Sequence, residues 1–341
     1  MSLNPESADR RPAGVTRTVL VVSLLVAAGI SVAATAAYFE LRPTPAPPGT
    51  VAVTDDTGRT VNVPADPSRV VVLSPSITDS MVRLGLRERI VGVDCYAQAL
   101  GGLSADYSPA QIHNWSLSSN LCVQTGPSFS VEQLLNASPD LVLTSTIVSA
   151  STVEEISTTY HIPVLILQPS TLGGIVVDIQ LLAQIFHVAT AASTLVGQLQ
   201  SVLGRAAALQ ANLSANGTPF PSVLLTYYAD NLGFWTYGPG TFGQSLVELV
   251  SAVSVAANAT LAYPEVSGSQ VLVADPSAIV YATGFGVNLT VYSQGPNWAQ
   301  FGAVSSGHLY PIASELLTEP GPTMILVTVP TLLAILHPGP K

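Results

Sequence analysis

The chain has 341 residues, 48% of them hydrophobic and only 9% charged, with a formal net charge of -10. That length suffices for two domains, and the charged share lies far below the ~25% usual for soluble domains. Beyond Arg89 the only Lys or Arg residues are Arg205 and Lys341, a balance that repels phosphate backbones and excludes nucleic acid as a partner.

At the N-terminus Arg10, Arg11 and Arg17 precede an apolar run from Val19 to Phe39. About 21 residues at ~1.5 Å each match the ~30 Å of a bilayer core. Residues 1–17 are therefore expected in the cytoplasm and 18–39 as a single-pass signal-anchor, with the remainder outside. Cleavage is the other reading, since Ala34-Thr35-Ala36 fits the small-x-small pattern of a signal peptide. Residues 40–50, rich in Pro, form a stiff linker.

Export agrees with six Asn-x-Ser/Thr acceptor sites, at Asn114, Asn136, Asn212, Asn216, Asn258 and Asn288. Cys95 and Cys122 are the only cysteines. In an oxidising compartment such a pair is expected as a disulfide, worth roughly 3–4 kcal/mol in the chain-entropy model. The five histidines are scattered, so no zinc site is expected. His113, in the loop between the cysteines, is a weak candidate for ligating a metal centre, while His161, His187, His308 and His337 read as structural.

A hairpin is predicted over Val51–Thr54 and Arg59–Val63, with Gly58 taking a positive φ. From Arg69 the pattern becomes strand, loop, helix. Strands are predicted at 69–73, 90–94, 140–144 and 164–167. Helices are expected from a Ser76 or Thr78 cap to Leu84, and over 131–136 and 153–160. Such alternation implies a parallel sheet, with function at the carboxyl ends of its strands. Between 172 and 212 strand signals vanish, and Leu195, Leu199, Val202, Ala206 and Leu209 share one helical face. Strands are predicted again at 223–226, 278–281 and 309–312, with helices at 242–252, 297–303 and around 324–335. The fold class is α/β: two parallel-sheet lobes, 51–171 and 213–341, joined by one long rigid helical segment over 172–212.

The opening "VTDDTGRTVNVPADPSRVVVLSPSITDSMVRLGLRERIVGVD", followed by "FSVEQLLNASPDLVL", "IPVLILQPSTLGGIVVDIQLLA" and "SAIVYATG", resembles the cobalamin and iron-chelate class of periplasmic substrate-binding proteins. The resemblance covers nearly everything from Val53 to Pro338. It implies the class III solute-binding fold, with a metal-chelate ligand held between the lobes and delivered to the permease of an ABC importer. It also implies docking through one acid on each lobe, Asp79 in "SPSITDS" and Glu248 in "SLVELV". Two departures stand out: Asp79 replaces the usual Glu, and Ser251-Ala252-Val253 stands where Gly-Gly normally follows the second acidic helix.

Loops after the strands supply the candidate ligand contacts: Tyr96, Phe129, Tyr228, Trp235, Tyr237 and Phe285, whose flat faces suit a large, partly apolar chelate. The shortage of basic residues favours a near-neutral ligand of cobalamin type over an anionic siderophore, with haem next. No cofactor of the protein's own is expected, although the ligand would carry cobalt or iron. A monomer is expected. Two other classes compete: a cell-surface interaction glycoprotein that keeps the fold without transport, and an extracellular enzyme. The enzyme is disfavoured, because the chain has no Gly-x-Ser-x-Gly elbow, His-Glu-x-x-His motif or phosphate-binding loop.

Overall fold

The computed structural model describes residues 49–94, 124–125, 128–129, 131–284 and 287–338. The expected anchor, Cys95, Cys122, His113 and Asn114 lie outside them. Among the described residues no helix is long and apolar enough to cross a membrane.

The chain enters through an antiparallel hairpin, β1 (Thr50–Thr54) and β2 (Thr60–Pro64), with Thr54 opposite Thr60. Asp55 builds the turn. Its Oδ1 accepts from the Thr57 and Arg59 amides at 3.0 Å each, and its Oδ2 takes the Arg59 guanidinium at 2.6 Å. Gly58 closes the turn at φ +81°, a conformation costly for any residue with a β-carbon. Arg59 also donates to the Val164 carbonyl at 3.1 Å, which ties the hairpin to the body.

Next comes the first sheet: β3 (Val70–Leu73), α1 (Pro75–Arg83), β4 (Ile90–Val93), the short β5 (Gln124–Thr125) and β6 (Ser128–Phe129), α2 (Val131–Asn136), β7 (Leu141–Thr144), α3 (Ala150–Thr158) and β8 (Val164–Ile166). Four strands pair in parallel in the order β4-β3-β7-β8, while β5 and β6 form a separate antiparallel pair. The β-branched run of β3 is buried on both faces: Val70 and Val72 join one hydrophobic cluster, Val71 and Leu73 another. The start of α1 differs from expectation. Its N-cap is Ser74, not Ser76 or Thr78, because Pro75 occupies the first helical position, where a missing N–H costs nothing. Thr78 instead bonds back to the Ser74 carbonyl at 3.0 Å.

The single helix expected over 172–212 is two helices, α4 (Leu172–Ile185) and α5 (Ala189–Ala215). His187 breaks the run at φ +56°, and its Nε2 reaches the Ala65 carbonyl at 2.8 Å. Leu195, Leu199, Val202 and Ala206 are buried along one face of α5, as the spacing predicts.

The second half contains β9 (Ser222–Ala229), β10 (Gly233–Thr236), α6 (Phe242–Leu249), β11 (Val253–Ser254), β12 (Glu265–Ser267), α7 (Gly268–Ala274), β13 (Ala278–Thr283), α8 (Leu289–Ser293), α9 (Gly302–Ser305), β14 (Leu309–Ala313) and α10 (Ser314–Thr318). Its sheet is mixed and not parallel throughout. The order is β12-β10-β9-β13-β14, with β13 parallel to β9 and β14, β10 antiparallel to both neighbours, and β11 alongside β9. The helix expected around 324–335 is a wide π turn, Met324–Thr328, followed by α11 (Val329–Leu336). Pro330 falls in the first turn of α11, where its missing donor is tolerated.

One hydrophobic cluster runs from Val72 and Leu143 of the first sheet through Ile179, Leu182, Leu199 and Val202 of α4 and α5. It continues into Leu225, Val280 and Leu246 of the second half and ends in Ile325 and Leu332. A polar clasp supplements it. Asp79 of α1, 1% exposed, accepts from Arg83 Nε at 2.7 Å and from the Thr323 amide at 2.7 Å, while Arg83 donates to Thr323 Oγ1 at 2.9 Å. Gly321 permits the close approach, since a β-carbon there would lie 3.0 Å from the Ser76 carbonyl and 3.1 Å from the Asp79 carboxylate. Asp79 therefore does not present the exposed carboxylate that a docking role requires. Its carboxylate is committed to the interior, where both oxygens accept hydrogen bonds, one from Arg83 and one from the Thr323 amide.

Removing one member of a buried ion pair strands the other, at a cost of about 3–5 kcal/mol. Asp79→Ala should lower the urea-denaturation stability by about that amount, and Asp79→Asn by less; a cost below about 1 kcal/mol for Asp79→Ala, the range of exposed pairs, would show that the clasp is not formed. Asp178 of α4 supplies a pH dependence. Burial, and secondarily the charge of Asp56, pushes its carboxyl up to about 8 from the ordinary 3.8. The folded chain keeps this proton where the unfolded chain has lost it, so stability falls as pH rises from about 4 to about 8. The thermal midpoint should drop between pH 5 and pH 8.5, and Asp178→Asn should flatten that slope. An equal slope in the variant would refute the assignment.

Candidate functional site

The carboxyl ends of the first sheet open onto a cavity of about 370 Å3. One wall comes from Leu73 and Ser74–Ser76 after β3, Asp94 after β4, Ser145–Ile147 after β7, and Leu167 and Gln168 after β8. The other comes from Tyr227 of β9, Tyr237 after β10, Phe242 at the start of α6, Tyr263, and Thr318 at the end of α10 with Glu319 and Pro320 after it. This is where parallel α/β sheets place ligands, because the strands end there and the loops are free to diverge.

Gln168 couples two of the loops: its Oε1 accepts from the Thr146 amide and hydroxyl at 3.1 Å each. Tyr237 anchors the opposite wall. It is 2% exposed, its hydroxyl donates to the Leu317 carbonyl at 2.7 Å, and its ring lies 5.0 Å from Tyr227, 5.2 Å from Phe242 and 6.1 Å from Tyr263. Burial pushes the Tyr237 phenol well above its usual value, and burial plus Tyr263 pushes Tyr227 up to about 12, so both rings stay neutral in any physiological range. Of the lining residues Ile147 and Tyr263 are 64% and 45% exposed, leaving an apolar rim.

Asp94 and Glu319 are the only charged residues among the described lining groups, and neither wall carries a Lys or Arg. Asp94 is 2% exposed. The half-buried Glu319 carboxyl accepts from the Ser76 amide at the start of α1, yet it is pushed up to about 8, chiefly by burial and then by the charge of Asp94.

Of the candidates read from the sequence, Tyr237 lines the cavity. Tyr96 and Phe285 lie outside the described residues, and for Phe129 only the backbone, in β6, is described. Tyr228 is 43% exposed on the other face of β9, so its neighbour Tyr227 takes the cleft position. Trp235 stands in a strand and not a Gly-rich loop, opposite Tyr228, with its indole N–H 3.4 Å from Asp230 Oδ2. The strand escaped notice because Asp230 builds a tight turn, accepting from the Leu232 and Gly233 amides. Sequence reasoning also missed Tyr263, Asp94 and Glu319. Asp94 could have been found as the residue directly after strand 90–93. Glu319 sits in a Pro-Gly-Pro stretch that carries no chemical motif.

Glu248 is exposed on α6 and accepts from Gln244 Nε2 at 2.9 Å. Asn136, Asn212, Asn216, Asn258 and Asn288 are all exposed. His187, His308 and His337 each bond a backbone carbonyl, at 2.8, 3.2 and 2.7 Å, as structural histidines do. Among the described residues no group of three His, Cys, Asp or Glu side chains gathers to hold a metal.

The packing around Tyr237 is testable. A β-carbon at Gly243 would collide with the Tyr237 ring. Gly243→Ala should cost about 1–3 kcal/mol by overpacking. Gly197→Ala, on open exposed helix surface, should be neutral or stabilising by up to about 1 kcal/mol. Equal midpoints for the two variants in thermal denaturation would contradict this packing.

The family model described as periplasmic binding protein matches residues 70–316. An uncharacterized ABC transporter substrate-binding lipoprotein of Bacillus subtilis is 22% identical over 278 residues, 81% of this chain and 82% of that protein. A cobalamin-binding protein of Halobacterium salinarum is 26% identical over 66% of this chain, although the match spans only 57% of that protein. Among solved structures, the molybdate-binding protein of Haemophilus influenzae superposes with a TM-score of 0.69 at 21% identity, covering 84% of this chain and 91% of that one. The vitamin B12-binding protein of Vibrio cholerae gives 0.59 at 20% identity, covering 80% and 99%. At those identities the superpositions establish a shared fold alone. With the family match running from β3 into α10, well over half of the chain, the chain belongs to the periplasmic binding protein family.

Proposed function

We propose that this chain is the substrate-binding component of an ABC importer and captures a metal-chelate nutrient of cobalamin type outside the cytoplasm. The observation that carries the reading is the cleft: an aromatic-walled cavity without a cation among its described lining residues, at the carboxyl ends of a parallel sheet. Relatives named for cobalamin and vitamin B12 binding support the cargo class. Anionic chelates are ordinarily gripped by Arg or Lys, which these walls lack. A near-neutral corrin needs flat apolar contact and a few polar partners instead. A cavity of about 370 Å3 is small for a whole corrin, so the apolar rim at Ile147 and Tyr263 would carry part of the contact.

Glu248 serves as a permease contact on this reading, because it is exposed on α6; Asp79 does not. The N-terminal segment would hold the domain at the membrane, either retained as an anchor or cut. The five exposed acceptor asparagines favour one second reading, a glycosylated surface protein that binds a partner and not a solute.

Titration of residues 49–341 with cyanocobalamin, haemin and a ferric trihydroxamate separates these. Saturable quenching of intrinsic fluorescence together with a raised melting temperature is expected for cyanocobalamin. A response to haemin or the hydroxamate alone would move the cargo class. Silence across the set would overturn solute capture and leave the surface-protein reading.

A further inference from the structure

Gln168 is the only side chain with N–H donors among the described lining residues of the cavity. Its orientation is fixed by what lies behind it. The Thr146 backbone N–H can only donate, so the atom it meets at 3.1 Å is the amide oxygen, and the Thr146 hydroxyl donates to the same oxygen at 3.1 Å. The Nε2 group, on the other arm of the amide, therefore carries its two N–H donors away from Thr146. The backbone beneath is held from both sides. On one side the Leu167 N–H donates to the Thr144 carbonyl at 2.8 Å. On the other, where β8 ends the first sheet, the hairpin turn continues the pairing. The Asp56 N–H donates to the Ile166 carbonyl at 3.1 Å, and the Asp56 carboxylate accepts from the Gln168 N–H at 2.5 Å. A charge-assisted bond of that kind is roughly twice as strong as a neutral one. Two of the wall hydroxyls, by contrast, spend their donors on the protein: Tyr237 on the Leu317 carbonyl and Thr318 on the Ser314 carbonyl.

We infer that Gln168 is a specificity-determining contact of the cleft, its Nε2 donating to an uncharged, carbonyl-type oxygen of the ligand, and that Asp56 positions it. The inference rests on the solute-capture reading and adds the chemistry the ligand must present at this wall. A glutamine side chain ordinarily loses rotamer freedom when it grips a ligand. Here Thr146 and Asp56 have already taken that freedom, so little of the new bond is lost to ordering. The contact also discriminates: a ligand edge that offers only N–H groups leaves donors facing donors once water is excluded. The hairpin, which contributes no described lining residue, thereby takes part in binding through the position of the loop after β8.

Two substitutions at one position test the contact. Gln168→Glu keeps an oxygen toward Thr146 and replaces the donor arm with a second oxygen; Gln168→Met keeps the length and removes both. In fluorescence titration at neutral pH with cyanocobalamin, whose peripheral amides offer carbonyl oxygens, Gln168→Met should weaken binding by on the order of tenfold and Gln168→Glu by more. Because Gln168→Glu preserves the bonds from Thr146, its melting temperature without ligand should stay close to that of the wild type, which separates a lost contact from a lost fold. Asp56→Ala should weaken binding in the wild-type background and add almost nothing to Gln168→Met, the coupling expected of a residue that acts through another. Asp56→Asn, which still accepts from the Gln168 N–H, should recover most of that loss. If haemin or the ferric trihydroxamate is the probe that binds, the same ordering of variants is expected on it. A Gln168→Glu variant that binds as tightly as the wild type, or tighter, would overturn the inference and leave solute capture standing, and so would an unchanged Gln168→Met. Additive losses for Asp56→Ala and Gln168→Met would overturn the positioning role of Asp56. Failure of all three probes to bind the wild type would instead remove solute capture, and this assignment with it.

Discussion

Both sheets drain into one hydrophobic core, and the cleft exists because that core stops where the strands stop. Val72 and Leu143 on one side and Leu225 and Val280 on the other share a cluster with Ile179, Leu182, Leu199 and Val202 of the two long helices. Burial of this kind contributes about 25 cal/mol per Å2 of apolar surface, and a common core removes the choice of burying either half separately. The width of the cleft is then a packing distance. The π turn and α11, through Ile325, Val329 and Leu332, enter the same cluster, so the C-terminal segment is part of this arrangement.

The short stretch from Glu319 to Thr323 joins that core to the site. At one end Glu319 accepts from the Ser76 amide and faces the cavity. Two residues on, Gly321 lets the backbone lie against Ser76 and Asp79, and Thr323 closes the clasp with Asp79 and Arg83. A carboxyl that lines the cavity and a buried ion pair thus hang on the same five residues and the same helix. Prolines 320 and 322 limit the backbone of this stretch, which restricts how far Glu319 can move without disturbing the clasp.

Much of the scaffold was legible because its signals are local. The β-branched run 70–73, the turn glycines Gly58 and Gly85, and the 3.6-residue spacing of Leu195, Leu199, Val202 and Ala206 each state a backbone preference in consecutive residues. What failed was set by tertiary context. His187 breaks the long helix with a residue that carries no breaker signal, held by a carbonyl some 120 positions away. The antiparallel β10 and β12 hide among Gly and Pro, and Gly233 is required there only because Val266 passes so close to its α-carbon. At the site, aromatic residues were recognisable as a class, but strand parity chose Tyr227 over Tyr228. Asp79 puts an acid at the place expected for docking, and only the position of Thr323, 244 residues away, shows that it faces inward.

The placement of positive charge explains why the cleft has the character it does. The described arginines of the first half are each committed to structure. Arg59 holds the Asp55 turn and the Val164 carbonyl. Arg69 donates to the carbonyls of Ala137 and Ser138, and Arg83 closes the clasp. Arg87 pairs with Glu88, and Arg89 reaches Asp66 and the Pro67 carbonyl. Arg205 lies on the outer surface of α5, bonded to Ser201. A guanidinium so committed cannot swing into a cavity without leaving carbonyls or carboxylates unpaired, at about 1–3 kcal/mol for each buried group. The cationic residues of the described chain are therefore spent on holding loops and helices in register, and the polarity of the site is left to two acids, backbone amides, hydroxyls and rings.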